Sequence, residues 1–475
     1  MNSGNDFALS PGAAARSPLR GSTEYGWLDL AFVESWILDT TYSEDCFHLT
    51  YCHSHAPWRV RPLWRWHRPD RTDRLMATSR AAELLRKPGQ SQRATFLDLF
   101  FDLVFVFALT RVTQRLLEDF TSEQRIVVSE AGQTLLLLLA LWLVWVYTAG
   151  IADPYDPQRP EIQLLVVATM FGSMVMAVAL PEAFGDRGLV FASAYLAIHI
   201  GRDLFFVLAL RGHEARRRAA RPLFWFGISA VPWMAGALFP EGVERGVLWT
   251  VAVTMDYTAV MLRWPTPGLG RLAAAEVPVV AEHLAERYQQ FFIIALGEAI
   301  LVIGLAFSGG GFGAGRAAAF VVAFASTVLL WRIYIYRAGT LLPAAIAAAP
   351  DPARIARSAA SAHLPMVAGV VAIAVGHELV IEHPFGHTDP AWIAVILGGP
   401  ALFLAGRALF EYAVFGRVSR NRVIGLLVLA VMAPAMVLLP PLVVAIAATV
   451  VLVGIAVSDS VRAWGHPPEQ PSPPR

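Results

Sequence analysis

The stretch FFIIALGEAILVIG, residues 291–304, decides the fold class of this chain. Its apolar character continues to Phe307, which brings it close to the roughly 20 residues that an α-helix needs to cross a bilayer. Its single charged residue is Glu298, and an unpaired carboxylate in hydrocarbon is energetically costly. The segment is therefore predicted to span a membrane with Glu298 turned toward neighbouring helices.

The composition of the whole chain supports a protein that lies in a lipid bilayer. Of 475 residues, 56% are hydrophobic and 16% are charged, which leaves too little polar surface for a soluble protein of several domains. The formal net charge is +1 and no broad basic face is visible, so no nucleic-acid partner is expected. Both cysteines, Cys46 and Cys52, precede the apolar part, which therefore has no disulfide framework.

Apolar runs separated by Pro, Gly or charged residues predict an all-α polytopic membrane protein with about 12 transmembrane helices. The predicted spans are 96–112, 126–149, 162–180, 189–210, 222–239, 244–262, 289–307, 317–336, 364–381, 391–411, 423–439 and 441–460. Only LPP, residues 439–441, divides the last two runs, so eleven spans is the alternative.

The loop charges predict the orientation. With a cytoplasmic N-terminus, the inside segments hold 21 Arg or Lys residues and the outside segments hold 6. This is the asymmetry of the positive-inside rule, so both termini are predicted to be cytoplasmic. The loop RGHEARRRAAR, residues 211–221, contributes most and is interpreted as a cytoplasmic anchor.

Composition also divides the chain into segments. The first is predicted to be a disordered extension or a mis-called start, because it is non-periodic and an ordinary start follows at Met76. Its cluster CFHLTYCHSH, residues 46–55, lacks the spacing of a zinc site, so no metal or cofactor is predicted. The segments are 1–75, the extension; 76–94, a cytoplasmic segment; 95–262, a first six-helix repeat; 263–288, a cytoplasmic connector; 289–462, a second repeat; and 463–475, a cytoplasmic tail.

The two repeats are predicted from matching stretches in the same order. GRDLF at 201–205 matches GRALF at 406–410, and RPLFWFGISAVPWMAGALFP at 221–240 matches NRVIGLLVLAVMAPAMVLLP at 421–440. The separations drift between about 186 and 205, as loop insertions would cause. Six spans per unit give both copies the same direction, which predicts a parallel 6+6 duplication.

Charged residues inside the spans are the candidate substrate- or ion-binding residues. Asp98 and Asp102 in FLDLFFDLVFVFAL are four apart and share one helix face, and an alignment at 196 pairs Asp102 with Glu298. Arg202 and Arg407 are interpreted as counter-ions to these acids, with snorkelling to the interface as the alternative.

Further candidates flank these positions. On the fourth span, His199 and Asp203 accompany Arg202, and His363, His377 and Glu378 lie on the ninth. His283, Glu286 and Arg287 precede the seventh span, where a solvated amphipathic entry helix explains the pattern without any function. No nucleophile elbow or CxxC pair is present, so no catalytic residue is assigned.

Three motifs resemble the bacterial low temperature requirement protein A family, LtrA. They are RATFLDLFFDLVFVFAL at 93–109, HLAERYQQFFIIALGEAILVIG at 283–304 and HLPMVAGVVAIAVGHELVIEHP at 363–384. The resemblance implies a multi-pass protein of the bacterial inner membrane, linked by the family name to growth in the cold. It implies no chemistry, and Asp98, Asp102, His283, Glu286, Arg287 and Glu298 are motif positions only.

Three function classes follow from these residues. The first is a proton- or cation-coupled secondary transporter of a small solute, with Asp102 and Glu298 as ion sites. An ion gradient is the expected energy source because the sequence has no nucleotide-binding motif. The second is an intramembrane lipid-modifying enzyme that uses the histidines of the ninth span. The third is a cold or envelope-stress sensor or scaffold without turnover, in which buried charges fix helix register.

Overall fold

The computed structural model describes residues 81–86, 93–121, 127–239, 242–273, 276, 279–336, 340–465 and 470–474. The extension 1–75 and its cysteine cluster lie outside these residues. Within the described part, the chain forms α-helices and short 3-10 turns and no β-sheet. The predicted all-α class is therefore confirmed.

Residues 81–84 are helical, and fourteen further α-helices lie in the described ranges from Phe96 onward. They are α1 (Phe96–Thr121), α2 (Val127–Ala149), α3 (Pro160–Ala179), α4 (Gly188–Ala209), α5 (Arg216–Leu238), α6 (Val243–Met261), α7 (Ala281–Ser308), α8 (Ala314–Tyr334), α9 (Thr340–Ala348), α10 (Pro352–Glu382), α11 (Pro390–Ile396), α12 (Gly398–Phe415), α13 (Arg420–Met436) and α14 (Pro441–Gly465). The runs on either side of LPP are thus separate helices.

Eight helical segments in the described ranges are long and apolar enough to cross a membrane. They are Ser129–Ala149, Pro160–Glu182, Gly188–Ala209, Ala281–Ser308, Ala314–Tyr334, Pro352–Glu382, Pro390–Phe415 and Pro441–Arg462. The helices α1, α5, α6 and α13 are outside this set, and each carries charged residues. The protein is therefore a multi-pass membrane protein. The helices α1, α5, α6 and α13 would add further spans only if buried partners neutralise their charges.

Several helices begin or end away from the predicted bounds. Helix α1 continues to Thr121, and α7 begins at Ala281, so the last residues of the predicted connector 263–288 are helical. Helix α10 begins at Pro352, and the span predicted at 391–411 is broken between α11 and α12 at Leu397. The two predicted starts were late because hydropathy excludes the charged residues at the beginning of α7 and of α10.

The long helices pack in two series. Contacts in the first series join α1 to α2 and α3, α2 to α3 and α6, α3 to α4, α4 to α5, and α5 to α6. Contacts in the second series join α7 to α8 and α10, α8 to α10 and α14, α10 to α12, α12 to α13, and α13 to α14. The helices of the second series therefore contact one another in the same pattern as those of the first, with α9 and α11 as additional short elements.

The two series meet where α1 packs on α7. The Asp98 and His283 side chains approach to 3.5 Å, and the rings of Phe105 and Phe291 lie 5.8 Å apart between centroids. Residue separations of 185 and 186 stay constant along both helices, so α1 and α7 run in the same direction. We call this contact the α1–α7 seam.

Helices α10 and α12 pack backbone to backbone through glycines. A Cβ on Gly369 would lie 2.6 Å from the Phe403 nitrogen, and one on Gly406 would lie 2.7 Å from the Met366 nitrogen. Small residues let helices approach closely in a membrane, where dispersion contacts and hydrogen bonds replace the hydrophobic driving force. This pair is a rigid support behind α7, which also packs on α10.

Candidate functional site

A buried ion pair lies at the centre of the α1–α7 seam. Arg287 of α7 donates from Nη1 to Asp102 Oδ2 at 2.9 Å and from Nη2 to Asp102 Oδ1 at 2.8 Å. Both side chains are fully buried. Paired guanidinium–carboxylate bonds of this geometry fix orientation as well as charge. Asp102 thus has the partner that its position inside a helix bundle demands.

Aromatic side chains enclose this ion pair. Trp145 of α2 donates from Nε1 to Asp102 Oδ1 at 2.9 Å, and its ring lies 5.8 Å from the Arg287 guanidinium. On the opposite side, the Phe101 ring lies 5.9 Å from the same guanidinium. Phe291 packs against Trp145 with ring centroids 4.3 Å apart. The aromatic rings exclude water, which strengthens the electrostatic attraction inside.

One helical turn away, His283 lies between two carboxylates. Its Nδ1 is 2.9 Å from Asp153 Oδ1, and its Nε2 is 3.5 Å from Asp98 Oδ2. The imidazole is fully buried, whereas the Asp98 side chain is 13% exposed. Since each ring nitrogen faces its own carboxylate, the imidazole can exchange a proton with either side.

The start of α1 positions Asp98. The Thr95 backbone N–H donates to Asp98 Oδ2 at 2.8 Å, and the Thr95 hydroxyl donates to the same oxygen at 2.7 Å. Nearby, the Ala94 N–H donates to Glu286 Oε2 at 2.8 Å, which ties the entrance of α1 to α7. Negative charge near a helix N-terminus is also favoured by the helix dipole.

The turn after α2 positions Asp153. The Arg86 N–H donates to the Pro154 carbonyl at 3.1 Å, and the Tyr155 ring stacks on Phe206 at a centroid distance of 4.0 Å. Burial raises the pKa of Tyr155 to about 12, so its phenol stays neutral at physiological pH. The turn is therefore held by residues before α1 and by α4.

The charges of this cluster do not cancel. Three carboxylates, Asp98, Asp102 and Asp153, face one guanidinium and one imidazole. With His283 protonated the sum is −1, and with His283 neutral it is −2. A void of about 10 Å³, room for roughly one water molecule, adjoins Asp98 and Thr148. The cluster thus combines an unbalanced charge, a titratable ring and space for a bridging water.

Glu298 lies further along the same seam. It is fully buried, and neither carboxylate oxygen has a hydrogen-bond partner among the described residues. Thr113 of α1 lies beside it without forming a hydrogen bond of acceptable geometry. Thr113 and Glu298 are 185 residues apart, the register of the seam, so Asp102 and Glu298, paired at 196 as repeat-related acids, lie about three helical turns apart along the seam. The two acids are separated by about 16 Å along the helix axis.

The candidates on α4 lie away from the seam. Arg202 Nε donates to Asp203 Oδ1 at 3.0 Å, and Nη2 lies 3.1 Å from His199 Nδ1. The guanidinium covers the Tyr147 ring of α2 at 4.8 Å. Arg202 is buried with these partners, so its assignment as counter-ion of the α1 acids is wrong. Arg287, which the sequence placed in a solvated entry helix, is that counter-ion.

Arg407 is a buried cap for the end of α8. Its Nε donates to the Ile333 carbonyl at 3.1 Å, and its Nη2 donates to the Tyr336 carbonyl at 2.5 Å. The last carbonyls of a helix lack intrahelical partners, and a guanidinium satisfies two of them here. The residue is fully buried, so it neither snorkels to the interface nor serves as counter-ion to Glu298.

Sequence reasoning missed a second charged network, at the ends of α12, α13 and α14. Arg422 donates to Asp459 Oδ2 at 2.6 Å and lies 3.4 Å from Glu411 Oε1. Arg407 approaches the same Glu411 oxygen at 3.5 Å. All four side chains are buried. No local motif reveals this network, because Arg422 and Asp459 are 37 residues apart.

The α10 candidates do not come together. His363 Nδ1 donates to the Ala359 carbonyl at 2.7 Å, so Nε2 is the acceptor for the Tyr334 hydroxyl at 3.0 Å. His377 lies fourteen residues along the same helix, about 21 Å away, and Glu378 beside it is half-buried. In the described part of the chain, no group of three His, Cys, Asp or Glu side chains is arranged to hold a metal ion.

Apolar helices and charges paired across their seams together define a multi-pass α-helical membrane protein. Residues 93–457 match the Bacterial low temperature requirement A protein (LtrA) family, and the chain belongs to that family, as its motifs predicted.

Among curated proteins, the chain is similar to the uncharacterized protein RA0937 of Rhizobium meliloti (strain 1021). The two are 34% identical over 367 residues, which cover 77% of this chain and 84% of that protein. No solved structure matches the chain.

Proposed function

We propose that the protein is a proton- or cation-coupled secondary transporter of a small solute, in which the α1–α7 seam carries the ion. The observation that carries the proposal is the arrangement of ionisable groups along one seam. His283 lies between Asp98 and Asp153, and Glu298 is buried without a hydrogen-bond partner among the described residues. Intramembrane ionisable groups of this kind mark ion pathways more often than structural sites.

The fold supports a transporter through its two helix series. Twelve spans would arise if α1 to α6 formed one half and α7, α8, α10, α11 with α12, α13 and α14 formed the other. The two series share one pattern of helix contacts, and α1 and α7 run parallel where the series meet. Both observations favour such a 6+6 duplication. The nine-residue α9, an additional element of the second series, would account for part of the drift in repeat spacing between about 186 and 205.

The seam is where relative motion of two halves would act. Transporters with internal repeats bind substrate and coupling ion at the repeat interface, and the halves rock about that site. Rocking would lengthen the contacts of His283 with Asp98 and of Arg287 with Asp102, which changes the charge environment of each acid. A proton bound in one orientation would then be released in the other. The positive-inside asymmetry puts the His283 end toward the cytoplasm of a bacterial inner membrane.

Flux measurements in proteoliposomes test this proposal. Wild-type protein, given a panel of small solutes together with a proton, Na⁺ or K⁺ gradient, should move at least one of these ions faster than protein-free vesicles, as ion-sensitive dyes inside the vesicles report. Glu298→Gln removes the titratable group while keeping its shape, so we expect a loss of flux of about a hundredfold or more, since positioned acid–base groups contribute about 10²–10⁴-fold.

Asp256→Asn is the matched control. Asp256 is a buried acid of α6 that lies off the seam, where Tyr195 and Trp233 donate to its carboxylate at 2.8 and 3.2 Å. Its flux should stay within about twofold of wild type because it takes no part in ion transfer. Wild-type vesicles without flux for any of the three ions, or a Glu298→Gln variant with normal flux, would overturn the proposal.

A scaffold without turnover is the second candidate, because the central ion pair has the hydrogen bonds expected of a purely structural contact. Asp102 accepts two bonds from Arg287 and one from Trp145, as a structural register lock would. This function predicts that charge-neutralising changes alter stability alone. The flux assay separates the two candidates, since only the transporter loses a rate at Glu298.

A further inference from the structure

A basic pocket opens at the start of α5, far from the seam in sequence. Its volume is about 420 Å³. The lining residues are Gly212, His213, Arg216, Arg217, Ala220 and Leu269. The positive-inside asymmetry puts this pocket at the cytoplasmic surface.

Two of the lining arginines have no partner in the described part of the chain. Arg216 and Arg217 are exposed, and neither guanidinium makes a hydrogen bond or ion pair there. By contrast, Arg218 donates to the Glu276 carbonyl at 3.2 Å, and Arg221 pairs with the Glu276 carboxylate at 2.8 Å. The loop therefore divides its arginines between structural contacts and a positively charged pocket wall.

The wall of the pocket is preformed. Arg221 Nη2 donates to the Leu269 carbonyl at 3.0 Å, which fixes the loop that faces α5. The Ala215 N–H donates to His213 Nδ1 at 3.1 Å, so the other ring nitrogen, Nε2, carries a proton and is a donor. Two guanidiniums and one imidazole N–H thus offer donors to an anion.

An apolar stripe continues from the pocket along α5. Arg217 and Ala220 lie on the same helix face as three exposed side chains one, two and three turns further on. These are Phe224, Ile228 and Val231, which are 38%, 38% and 69% exposed. Because α5 packs on α4 and α6, this exposed stripe would face hydrocarbon if α5 spans the membrane.

We propose that this pocket binds the headgroup of an anionic phospholipid, with the acyl chains lying along the Phe224 stripe. A phosphodiester accepts bonds from both guanidiniums, and a basic pocket at the end of membrane helices is a setting in which acidic headgroups bind. The continuity of pocket and stripe favours a lipid over a free phosphate, which has no use for the apolar face.

Lipid retention tests the site on the full-length protein. The protein is purified in detergent containing equal amounts of phosphatidylglycerol and phosphatidylcholine with identical chains, and the retained lipids are counted by native mass spectrometry. Wild type should enrich phosphatidylglycerol. The double variant Arg216→Ala/Arg217→Ala should lower that enrichment about thirty-fold, from about fivefold for each arginine.

Two further variants separate the site from a general charge effect. Arg211→Ala removes an exposed arginine of the same loop that does not line the pocket, so its loss of enrichment should be much smaller than that of the double variant. Ala220→Trp fills the pocket without changing charge, and it should lose enrichment as the double variant does. Each variant is first checked for a monodisperse gel-filtration peak.

Three outcomes would overturn the proposal. The first is unchanged enrichment in both the double variant and Ala220→Trp. The second is an equal loss with Arg211→Ala, which would indicate unspecific attraction. The third is complete displacement of phosphatidylglycerol by excess inorganic phosphate, which would show that the pocket takes the anion alone.

Discussion

Replacing Arg287 with methionine is expected to destabilise the folded protein by about 3 to 5 kcal/mol, because it leaves a buried carboxylate without its counter-ion. Arg287 is paired with Asp102 at 2.8 Å and lies 3.8 Å from Asp98, so one substitution removes the counter-ion of Asp102 and leaves His283 as the basic neighbour of Asp98. Unfolding of the detergent-purified protein with SDS measures the change. Arg287→Lys should recover only part of the loss, since an ammonium does not reproduce the paired bonds.

Two variants make this expectation specific. Asp102→Asn should cost less than Arg287→Met, because the guanidinium keeps Asp98 as a partner. Arg187→Met is the matched control, since Arg187 pairs with Glu182 at 3.2 Å while both side chains are about half exposed. Its effect should stay below about 1 kcal/mol. An Arg287→Met variant as stable as this control would show that the seam is not closed by the ion pair.

Replacing Arg422 with leucine is the second change with a large expected effect. Arg422 is fully buried between Asp459 of α14 and Glu411 of α12. Glu411 retains Arg407 at 3.5 Å and the Ser419 N–H at 3.0 Å, whereas Asp459 loses its ion-pair partner. We expect a loss of about 3 to 5 kcal/mol in the free energy of unfolding, with the ends of α13 and α14 loosened first.

Arg420→Leu provides the comparison for this prediction. Arg420 lies two residues earlier on the same helix and is exposed, so the same chemical change removes no buried pair. Hydrogen exchange followed by mass spectrometry should show faster exchange than in wild type at the ends of α12, α13 and α14 in Arg422→Leu. Arg420→Leu should exchange at the wild-type rate there. Equal exchange in the two variants would contradict a structural role for the Arg422 network.

Hydropathy predicted the apolar helices well because their bounds depend on local composition. It placed the start of α7 near residue 289, whereas α7 begins at Ala281 and includes His283, Glu286 and Arg287. The charged residues at the beginning of α7 make this segment look solvent-exposed in the sequence. Its burial depends on acids of α1 that are 185 residues away, which no local window contains.

The paired acids were identifiable from sequence, but their partners were not. The spacing of Asp98 and Asp102 placed both on one face, and the structure turns that face toward α7. The matching of Asp102 with Glu298 rested on residue type. In the structure, acids of α1 contact bases of α7, so opposite charges rather than like residues face each other across the seam.

The arginines of the GRxLF stretches illustrate the same limit. Both are buried as their position in a span predicted, and both lie against the end of the second helix in their series. Arg202 covers the Tyr147 ring, and Arg407 caps the carbonyls of Ile333 and Tyr336. The sequence indicated that the cation occurs twice. The helix that each arginine contacts depends on three-dimensional packing.

Cysteine crosslinking across the α1–α7 seam tests the central claim most directly. In a chain with Cys46 and Cys52 replaced by serine, Phe105→Cys combined with Phe291→Cys should be bridged by HgCl2, a small thiol reagent that enters apolar sites, because the two rings lie 5.8 Å apart between centroids. Phe105→Cys combined with Leu301→Cys, the 196-residue register, should not be bridged. Crosslinking of the second pair in place of the first would contradict the parallel seam and the site built on it.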